Sequence, residues 1–406
     1  MPTDSQPLGL LVLGSGPAGV SAAAAYLEAG GPGPVCLLTA DTDPPYQRPP
    51  LSKTVLSGEE PAEATPILED DAALGEVDVR LRSRVAALDL DAREVRTEAG
   101  ERFGYERLVV ATGSEPVDLP GVEPGAEVHS LRSLEHSRGL TRAAAEATTA
   151  LVIGSGFIGC EAAASLAGRG VRTTLVTPEP APQAERLGAR VGARLTAWLE
   201  EAGVEVRTEV SVERVEAPHR VSLDDGSVLE PDLVLVAVGV DQEQPFLTGS
   251  GLVLEDGHLR TTSDLRTSDD RVWAAGDVAR AHHAVAGRAL SVEHWGDALS
   301  MGELAGQNAA ATGLGGTGVD SGEWSDPPGF WSQVGSHTLK YAAWGDGWEE
   351  ERLVEHGDAF SVWYADAAGE LVGVLTHGRD EDYDRGGELL ARRATLEEAL
   401  QDGGGE

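Results

Sequence analysis

Two glycine-rich loops are the parts of this sequence whose residue types and spacing point most directly to chemistry. The first is Gly14-Ser15-Gly16-Pro17-Ala18-Gly19, and the second is Gly154-Ser155-Gly156-Phe157-Ile158-Gly159. In such a loop the first glycine permits a tight turn, the second lets the backbone approach a pyrophosphate, and the third allows close helix–strand packing. The following helix adds free N–H groups and the positive end of its dipole. Each loop therefore predicts a dinucleotide site.

The elements that must position the first loop are visible on both sides of it. The loop follows the apolar run Leu8–Leu13, opens an alanine-rich helix from Pro17 to Glu28, and precedes a second apolar strand, Val35–Thr39. Asp41 then lies 22 residues after Gly19, at the distance where an acid binds a ribose hydroxyl.

The second loop has the same surroundings. It follows a predicted strand at Ala150–Ile153, opens a helix that runs to about Ala167, and precedes a strand at Thr173–Thr177. One glycine loop is weak evidence, but two loops in full strand–loop–helix context are strong evidence. The sequence thus predicts two dinucleotide sites in one chain.

Three further apolar runs indicate how the two units are arranged. Arg107–Gly113 closes the first unit, Leu233–Gly239 repeats that design at the end of the second, and Val272–Ala275 leads into Gly276 and Asp277. We expect the chain to return to the first unit at this last strand. The predicted fold class is α/β, with two Rossmann-like dinucleotide-binding domains, the second inserted in the first, and a C-terminal α+β domain.

The predicted boundaries place the first domain at 1–120 and 247–322, the second at 121–246 and the C-terminal domain at 323–406. Strand-like runs such as Phe360–Tyr364 and Leu371–Leu375 fall in the last region, and its glycine-rich acidic end, Asp402–Glu406, is expected to be disordered. Five of the eight tryptophans also lie there, at Trp324, Trp331, Trp344, Trp348 and Trp363.

Composition and charge exclude several classes of protein. The chain has 406 residues and 31 basic against 68 acidic side chains, a formal net charge of -37. Nucleic acid and anionic membrane surfaces both need clustered Lys and Arg, so neither is an expected partner. No basic leader and no apolar stretch of about 18 residues is present, so we expect a soluble, cytoplasmic protein, a monomer or homodimer.

The two cysteines exclude dithiol and metal chemistry. Cys36 and Cys160 are far apart and no CxxC occurs, which leaves no disulfide framework, multi-cysteine zinc site or dithiol redox centre. Both are expected to be small core residues. His282 and His283 are adjacent and lack further ligands nearby, so no metal site is predicted and we expect a structural role in a loop or near a cofactor.

Several motifs resemble those of the FAD-dependent pyridine nucleotide-disulfide oxidoreductases, and within them the ferredoxin reductases that serve oxygenases. The most selective is the stretch from Pro45 to Lys53, PYQRPPLSK. The others, in chain order, are Ala111-Thr112-Gly113, Gly154–Glu161 (GSGFIGCE), Ala274–Val278 (AAGDV), Glu293-His294-Trp295, and Phe330-Trp331. They run from about residue 8 to residue 335 and cover most of the chain.

This resemblance implies a role for individual residues. Gly14, Gly16 and Gly19 would hold the FAD pyrophosphate, Asp41 the adenosine ribose, Arg48 the pyrophosphate or flavin edge, and Asp277 the ribityl chain. Lys53 would lie near the reactive flavin nitrogen and pair with Glu161, while Glu293 and Trp295 would border the isoalloxazine; His294, between them, also belongs to the predicted cofactor-binding set. Gly154, Gly156 and Gly159 would hold NAD(P)H. The full predicted set also includes Pro17, Ala18, Ala111, Thr112, Gly113, Phe157, Ile158, Glu179, Gly239 and Gly276.

Simpler interpretations stay open for some of these residues. Arg48 and Lys53 also fit solvated surface charges. Glu161 also fits a side chain that only complements a helix dipole, and Asp277 a turn or cap residue. Trp295 also fits a plain core residue.

The coenzyme and the electron acceptor are less sharply indicated. Glu179, two residues beyond the strand end at Thr177, would repel a 2′-phosphate and favours NADH, although Arg186 lies nearby and NADPH stays possible. The resemblance implies a ferredoxin or another one-electron carrier as acceptor. The charge of -37 would repel an acidic ferredoxin, and the segment His337–Glu351 is acidic. A small-molecule acceptor and a flavin-containing NADH sensor are the alternative functions.

Overall fold

The computed structural model describes residues 7–68, 74–312 and 322–401. Within these ranges the helices are α1 (Pro17–Glu28), α2 (Thr54–Ser57), α3 (Leu134–Glu146), α4 (Phe157–Gly168), α5 (Ala184–Leu187), α6 (Ala189–Glu201), α7 (Trp295–Ala311), α8 (Asp380–Ala391) and α9 (Leu396–Gln401), with short 3-10 turns at Pro49–Ser52 and Leu74–Glu76. No helix in this part of the chain has the length and apolar character needed to cross a bilayer.

The strands of the same ranges are β1 (Leu10–Leu13), β2 (Val35–Leu38), β3 (Val77–Arg80), β4 (Val85–Asp89), β5 (Glu94–Thr97), β6 (Arg102–Gly104), β7 (Leu108–Val110), β8 (Glu115–Pro116), β9 (Thr149–Ile153), β10 (Arg172–Val176), β11 (Glu205–Arg207), β12 (Val212–Glu216), β13 (Arg220–Leu223), β14 (Val228–Leu229), β15 (Leu233–Val236), β16 (Val240–Asp241), β17 (Leu254–Glu255), β18 (His258–Thr261), β19 (Val272–Ala274), β20 (Ala279–His283), β21 (Arg288–Ser291), β22 (Gly329–Val334), β23 (His337–Ala343), β24 (Glu350–His356), β25 (Ala359–Ala365) and β26 (Leu371–His377).

The first sheet is parallel and has the order β19-β7-β1-β2-β3. Strands β1 and β2 are apolar along their whole length and fully buried, as parallel strands covered on both faces are. Helices α1 and α7 cross in close contact because Gly302 and Gly306 have no side chain. A Cβ at either position would overlap the backbone of α1. Strand β19 lies some 160 residues beyond β7 in the chain, yet the two are neighbours.

The second sheet, β11-β10-β9-β15, is also parallel and repeats the design around the second glycine loop. Strand β9 ends at that loop and α4 begins directly after it. Because the carboxyl ends of parallel strands share one edge, both loops lie at the edge where ligands bind in α/β folds.

Smaller sheets join and cover these two cores. The two-stranded ribbon β8-β16 carries the chain between them, and three further antiparallel or mixed sheets have the orders β4-β5-β6, β12-β13-β14 and β17-β18-β20-β21.

The last part of the chain forms a five-stranded antiparallel sheet of order β22-β23-β26-β25-β24. Helix α8 packs on it closely, because a Cβ at Gly386 would overlap the side chain of Val374. Trp324, Trp344 and Trp363 are buried, but Trp331 on edge strand β22 is 49% exposed.

The structure corrects one expectation about the histidines. His282 and His283 lie on strand β20 and not in a loop. His283 is fully buried with its ring against Trp324 and Trp344, and it does not line the large cavity described below. Both tryptophans come from segments more than 40 residues further along the chain, which a local motif does not reveal. The predicted tail, Asp402–Glu406, lies outside the described residues.

Candidate functional site

One cavity of about 1750 Å³ brings the two glycine loops together. Every predicted site residue except Gly19 and Gly159 lines it. These residues are Gly14, Gly16, Pro17, Ala18, Asp41, Arg48, Lys53, Ala111, Thr112, Gly113, Gly154, Gly156, Phe157, Ile158, Glu161, Glu179, Gly239, Gly276, Asp277, Glu293, His294 and Trp295.

The glycines of each loop occupy positions where a side chain would not fit or would enter the cavity. Gly14 and Gly154 have φ angles of +108° and +104°, which L side chains rarely adopt. Gly16 lines the cavity and has nothing within 4 Å of its ideal Cβ position, so a ligand can approach its backbone. A Cβ on Gly19 or Gly159 would instead overlap the carbonyl oxygen of the loop's own first glycine. These two glycines therefore lie behind the cavity and permit packing.

A hydroxyl pair at each loop was not anticipated from the sequence. Ser15 Oγ donates to Thr39 Oγ1 at 2.8 Å, and Ser155 and Thr177 share a hydrogen bond of 2.7 Å at the equivalent place. Each pair ties its loop to the end of the next strand. A signal was present, since both loops read Gly-Ser-Gly and both following strands are succeeded by Thr.

Asp41 lies just after the first of these strand ends, and both of its carboxylate oxygens accept hydrogen bonds from neighbouring residues. Tyr46 donates its hydroxyl to Asp41 Oδ2 at 2.6 Å and accepts the Leu134 N–H at 2.9 Å. Burial is the main cause that raises the pKa of Tyr46, so this phenol stays protonated and a donor. Asp41 Oδ1 accepts the N–H groups of Thr42 and Asp43 and fixes the turn after the strand.

Asp277 is the centre of a buried charged group in the first half of the cavity. It accepts hydrogen bonds from Ser114 Oγ at 2.6 Å and Arg132 Nη2 at 2.7 Å. Burial opposes its charge, but the two donors and the nearby Arg48 outweigh burial and hold the pKa of Asp277 below its usual range. Asp277 is therefore not merely a turn residue. Arg132 and Ser114 were missed because they lie 145 and 163 residues away from Asp277 in the chain.

Arg48 lies beside this group without an acidic partner of its own. Among the described residues no carboxylate oxygen lies within 4.0 Å of its guanidinium. Burial, and then repulsion from Arg132, lowers the pKa of Arg48. A buried cation that has no carboxylate partner favours an anionic ligand.

Lys53 and Glu161 form an ion pair that joins the two halves of the cavity. The distance from Lys53 Nζ to Glu161 Oε2 is 2.8 Å, and the side chains are 12% and 3% exposed. The simpler interpretations as a surface ammonium and a helix-dipole acid therefore do not account for them. Lys53 also donates to Pro49 O at 3.2 Å and lies 4.8 Å from the ring centre of Trp331.

Each carboxylate oxygen of Glu161 accepts two hydrogen bonds from distant segments, and Lys53 provides one of the two at Oε2. Ser52 Oγ donates to Oε2 at 2.5 Å, while Ser332 Oγ and Gln333 N donate to Oε1 at 2.6 and 3.3 Å. Segments 52–53, 161 and 332–333 thus meet at one carboxylate. Sequence reasoning found the pair, through its resemblance to a family, but not the serines or Gln333, which have no spacing signal.

Aromatic and polar side chains close the cavity at the start of α7. The Phe157 ring meets the edge of Phe330 with centres 4.6 Å apart, and Phe330 also packs on His294 at 4.5 Å. Glu293 accepts a hydrogen bond from Gln242 Nε2 at 2.7 Å. Trp295 lines the cavity and is partly exposed, so it is not a plain core residue.

Neither cysteine is available for chemistry. Cys36 and Cys160 are both 1% exposed, and burial raises the pKa of the Cys36 thiol to about 12 and that of Cys160 further still. Among the described residues no group of three or more His, Cys, Asp or Glu is arranged to hold a metal ion.

The lining fits a large dianionic dinucleotide at the first loop. Gly16 leaves its backbone open to a ligand, and Arg48 presents a cation without a carboxylate partner. The buried hydroxyl of Thr112 also has no hydrogen-bond partner within the described structure, as expected of a group that faces a ligand. FAD therefore fits these residues, and the second loop offers an equivalent cradle for a nicotinamide dinucleotide.

Comparison with known proteins gives a consistent result. Residues 9–302 match the family model described as pyridine nucleotide-disulphide oxidoreductase. The chain is 31% identical to the ferredoxin--NAD(+) reductase component of the biphenyl dioxygenase system of Paraburkholderia xenovorans, over 87% of this chain and 84% of that protein. It is 28% identical to a rubredoxin-NAD(+) reductase of Pseudomonas putida, over 82% and 86% of the two chains.

A solved structure is similar over almost the same extent. The covalent putidaredoxin reductase–putidaredoxin complex contains a chain with a TM-score of 0.84 to this one and 26% identity, over 95% of this chain and 93% of that one. The duplicated nucleotide loops, the cavity between them and these matches agree. The chain belongs to the pyridine nucleotide-disulphide oxidoreductase family and is an NAD(P)H-dependent flavoprotein oxidoreductase.

Proposed function

We propose that the protein takes a hydride from NAD(P)H onto FAD and passes electrons to a ferredoxin-type iron–sulfur protein of an oxygenase system. The observation that carries this proposal is the buried Lys53–Glu161 pair, at 2.8 Å, between a cradle for each of two dinucleotides. The relatives include a ferredoxin reductase and a rubredoxin reductase, and these names support an iron–sulfur or iron protein as the acceptor.

The first half of the cavity would hold FAD. Gly14 and Gly16 give its pyrophosphate access to backbone N–H groups at the start of α1, and the fork of Arg48 suits phosphate oxygens. Asp41 would bind the adenosine ribose through lone pairs that Tyr46 and the local turn leave free. Asp277 would accept hydrogen bonds from the ribityl hydroxyls, since its lowered pKa keeps it an acceptor.

Lys53 would supply the positive charge where the two ligands meet. FAD held here would supply hydride acceptance from the coenzyme and one-electron release to the acceptor. The ammonium of Lys53, fixed by Glu161, Pro49 and Trp331, stabilises negative charge that develops beside it. Because all these contacts exist within the protein itself, the charge needs no reorganisation when the reaction occurs.

The second half would hold the coenzyme, preferably NADH. Glu179 lies at the end of β10 in the position that Asp41 has after β2, and it lines the cavity. Its Oε2 accepts the Glu185 N–H at 3.0 Å, which fixes the carboxylate. A fixed carboxylate there favours a 2′-hydroxyl over a 2′-phosphate.

The cysteines favour a one-electron carrier over a disulfide as the acceptor, because the chain has no cysteine pair for a dithiol relay. Both thiols are buried and 124 positions apart in sequence. Two free cysteines also suit the reducing cytoplasm, where we propose that the protein works.

We further propose the insertion of domain 121–246 within a domain formed by 1–120 and 247–322, supported by the pairing of β19 with β7.

An anaerobic titration of the purified flavoprotein tests the proposal. About one equivalent of NADH should bleach the flavin band, and a [2Fe–2S] ferredoxin from an oxygenase system added next should be reduced. Bleaching with electron transfer only to oxygen or a quinone would favour the small-molecule acceptor. Bound FAD that neither NADH nor NADPH reduces would contradict the reductase mechanism and favour a sensor.

A further inference from the structure

One histidine of the cavity is held by a buried carboxylate. His294 Nδ1 lies 2.9 Å from Asp297 Oδ2, in the first turn of α7. The Asp297 side chain is 8% exposed, and the same oxygen accepts the Gly329 N–H at 3.1 Å. Because a carboxylate oxygen only accepts hydrogen bonds, the ring hydrogen of neutral His294 lies on Nδ1, and Nε2 carries a lone pair.

That lone pair is open to the cavity. His294 lines the cavity, and its side chain is 19% exposed. Its Nε2 has no hydrogen-bond partner among the described residues, yet it is not enclosed by protein. His136, the other histidine of the lining, has no carboxylate oxygen within 4.0 Å in the same part of the chain. Only His294 therefore combines a free ring nitrogen with a fixed ring.

The His294 ring also lies close to the place where the two dinucleotide sites meet. It packs on Phe330 of β22 with ring centres 4.5 Å apart, and Phe330 meets Phe157 of the second glycine loop. Ser332, two residues further on β22, donates to Glu161 of the buried ion pair. Residues two apart on a strand project from one face, about 7 Å apart. The histidine and the ion pair thus flank the same part of the cavity.

The proposed reaction releases a proton in this part of the cavity. A hydride consists of one proton and two electrons, whereas one-electron carriers take electrons alone. In the balanced reaction, one NADH and two oxidised carriers give NAD⁺, two reduced carriers and one H⁺. Because this proton starts inside the cavity, a base that lies there and also reaches water can speed its removal.

The other titratable and charged groups around His294 are less suited to accept the proton. Burial raises the pKa of Tyr341 to about 12 and also raises that of Tyr383, so both phenols keep their protons near neutral pH. Both ring nitrogens of His283 are engaged, by Asp326 O and Ala286 N, and burial lowers its pKa. The remaining groups are the ammonium of Lys340, which has no lone pair, and the carboxylates of Asp297 and Glu293, a class of weaker base than imidazole.

We propose that His294 Nε2 accepts this proton and that Asp297 is its positioning residue. Asp297 fixes the tautomer that leaves Nε2 free, and its charge stabilises the imidazolium that forms. The exposed part of the ring then returns the proton to water. This role rests on the proposed function, because an acceptor such as a quinone would take the proton together with the electrons.

Nitrogen-15 NMR of histidine-labelled, FAD-loaded protein tests the pair without turnover. The His294 signals are identified by their absence from the spectrum of His294→Gln. At about pH 8 they should show a protonated Nδ1 and an unprotonated Nε2. A protonated Nε2 in the neutral ring would overturn the assignment, because that nitrogen could not accept a proton.

Reoxidation of the NADH-reduced flavin by ferricyanide, a one-electron acceptor that takes no proton, tests the role itself. His294→Gln should slow this reoxidation about 10²-fold, and by at least about tenfold more than it slows reduction by NADH. Asp297→Asn keeps an acceptor for Nδ1–H but loses the charge, and should slow reoxidation about tenfold. His282→Gln removes an exposed histidine outside the cavity and should stay within about twofold of the parent. Added imidazole should restore much of the rate to His294→Ala, which a purely structural role would not allow.

Each outcome decides a specific point. Parent-like reoxidation of His294→Gln, or a slow His294→Ala that imidazole does not restore, overturns the proton-acceptor role. An Asp297→Asn effect that persists in the His294→Gln background overturns the positioning role. If His294→Gln does not retain its flavin, His294→Asn replaces it with the same expected result. Failure of NADH to reduce the parent protein contradicts the proposed function itself, and this inference with it.

Discussion

Replacement of Lys53 by methionine separates the chemical role of the Lys53–Glu161 pair from its structural role. Methionine is unbranched like lysine and only one heavy atom shorter, and it removes the charge. Glu161 is 3% exposed and loses its one cation but keeps three donors, from Ser52, Ser332 and Gln333. Removing one partner of a buried pair costs about 3 kcal/mol of stability. Loss of a positioned positive charge slows a reaction that develops negative charge by about 10²–10³-fold, or about 3–4 kcal/mol.

The double variant Lys53→Met/Glu161→Gln distinguishes these two effects. Glutamine can donate to the rotatable hydroxyl of Ser52 and accept from Gln333 N–H, so no unpaired charge stays buried. We expect its thermal unfolding midpoint to recover toward that of the parent protein. Its flavin reduction should stay slow, because the charge is still missing.

Anaerobic stopped-flow reduction of the flavin at saturating NADH measures the rate, and the flavin-to-protein ratio shows that FAD is retained. Lys340→Met is the matched control, since Lys340 is the other lysine of the chain and pairs with Asp380 instead, at 2.8 Å. It should reduce within about twofold of the parent, as expected for a partly exposed pair. Equal rates for Lys53→Met and the parent protein, or full recovery of rate in the double variant, would refute the reasoning.

Three further predictions follow from the site. Gly16→Ala should fold but lose FAD affinity, whereas Gly19→Ala should fail to fold, because of the two new Cβ atoms only the one at position 19 overlaps the Gly14 carbonyl. Flavin content and circular dichroism distinguish the two variants. Equal behaviour of the two would contradict the roles assigned to these glycines. Asp277→Asn should be less stable than the parent at neutral pH but not in strong acid. The folded-state pKa of Asp277 is lowered, so its carboxylate stabilises the folded parent above the unfolded value near 3.8, and this stabilisation disappears as pH falls through the folded pKa. The melting midpoints of parent and variant should therefore converge in acid. Electron transfer to an acidic ferredoxin should speed up as ionic strength rises, because salt screens the repulsion from a chain of charge -37; a falling rate would indicate a local basic docking face.

The features that local chemistry determines could be predicted from the sequence. Helix α1 has the predicted bounds, Pro17–Glu28, because the glycine loop before it and the glycines after it fix both ends. The predicted strand Val35–Thr39 ends one residue early, at Leu38, because Thr39 turns its hydroxyl to Ser15 and begins the loop. The hydrophobic periodicity, the loop glycines and the residues that end a helix all lie within a few residues of the helix or strand that they define.

The features that depend on distant packing could not be predicted. Arg132 meets Asp277, and Ser332 meets Glu161, across more than 140 residues of chain. A single serine or arginine is not part of a sequence pattern that predicts such a contact. His283 is similar, since its burial depends on two tryptophans from another part of the chain.

The convergence of two remote segments, 52–53 and 332–333, on Glu161 limits how this protein can be recombined with its relatives. A chimaera that exchanges only the C-terminal region replaces the donors at Ser332 and Gln333, while the acceptor at Glu161 stays behind. A graft that lacks an equivalent hydroxyl there leaves a buried carboxylate oxygen short of a donor, even where every sheet is intact. Crossover points placed at the boundaries between sheets are therefore not sufficient. Segments 52–53, 161 and 332–333 must be taken from the same parent protein.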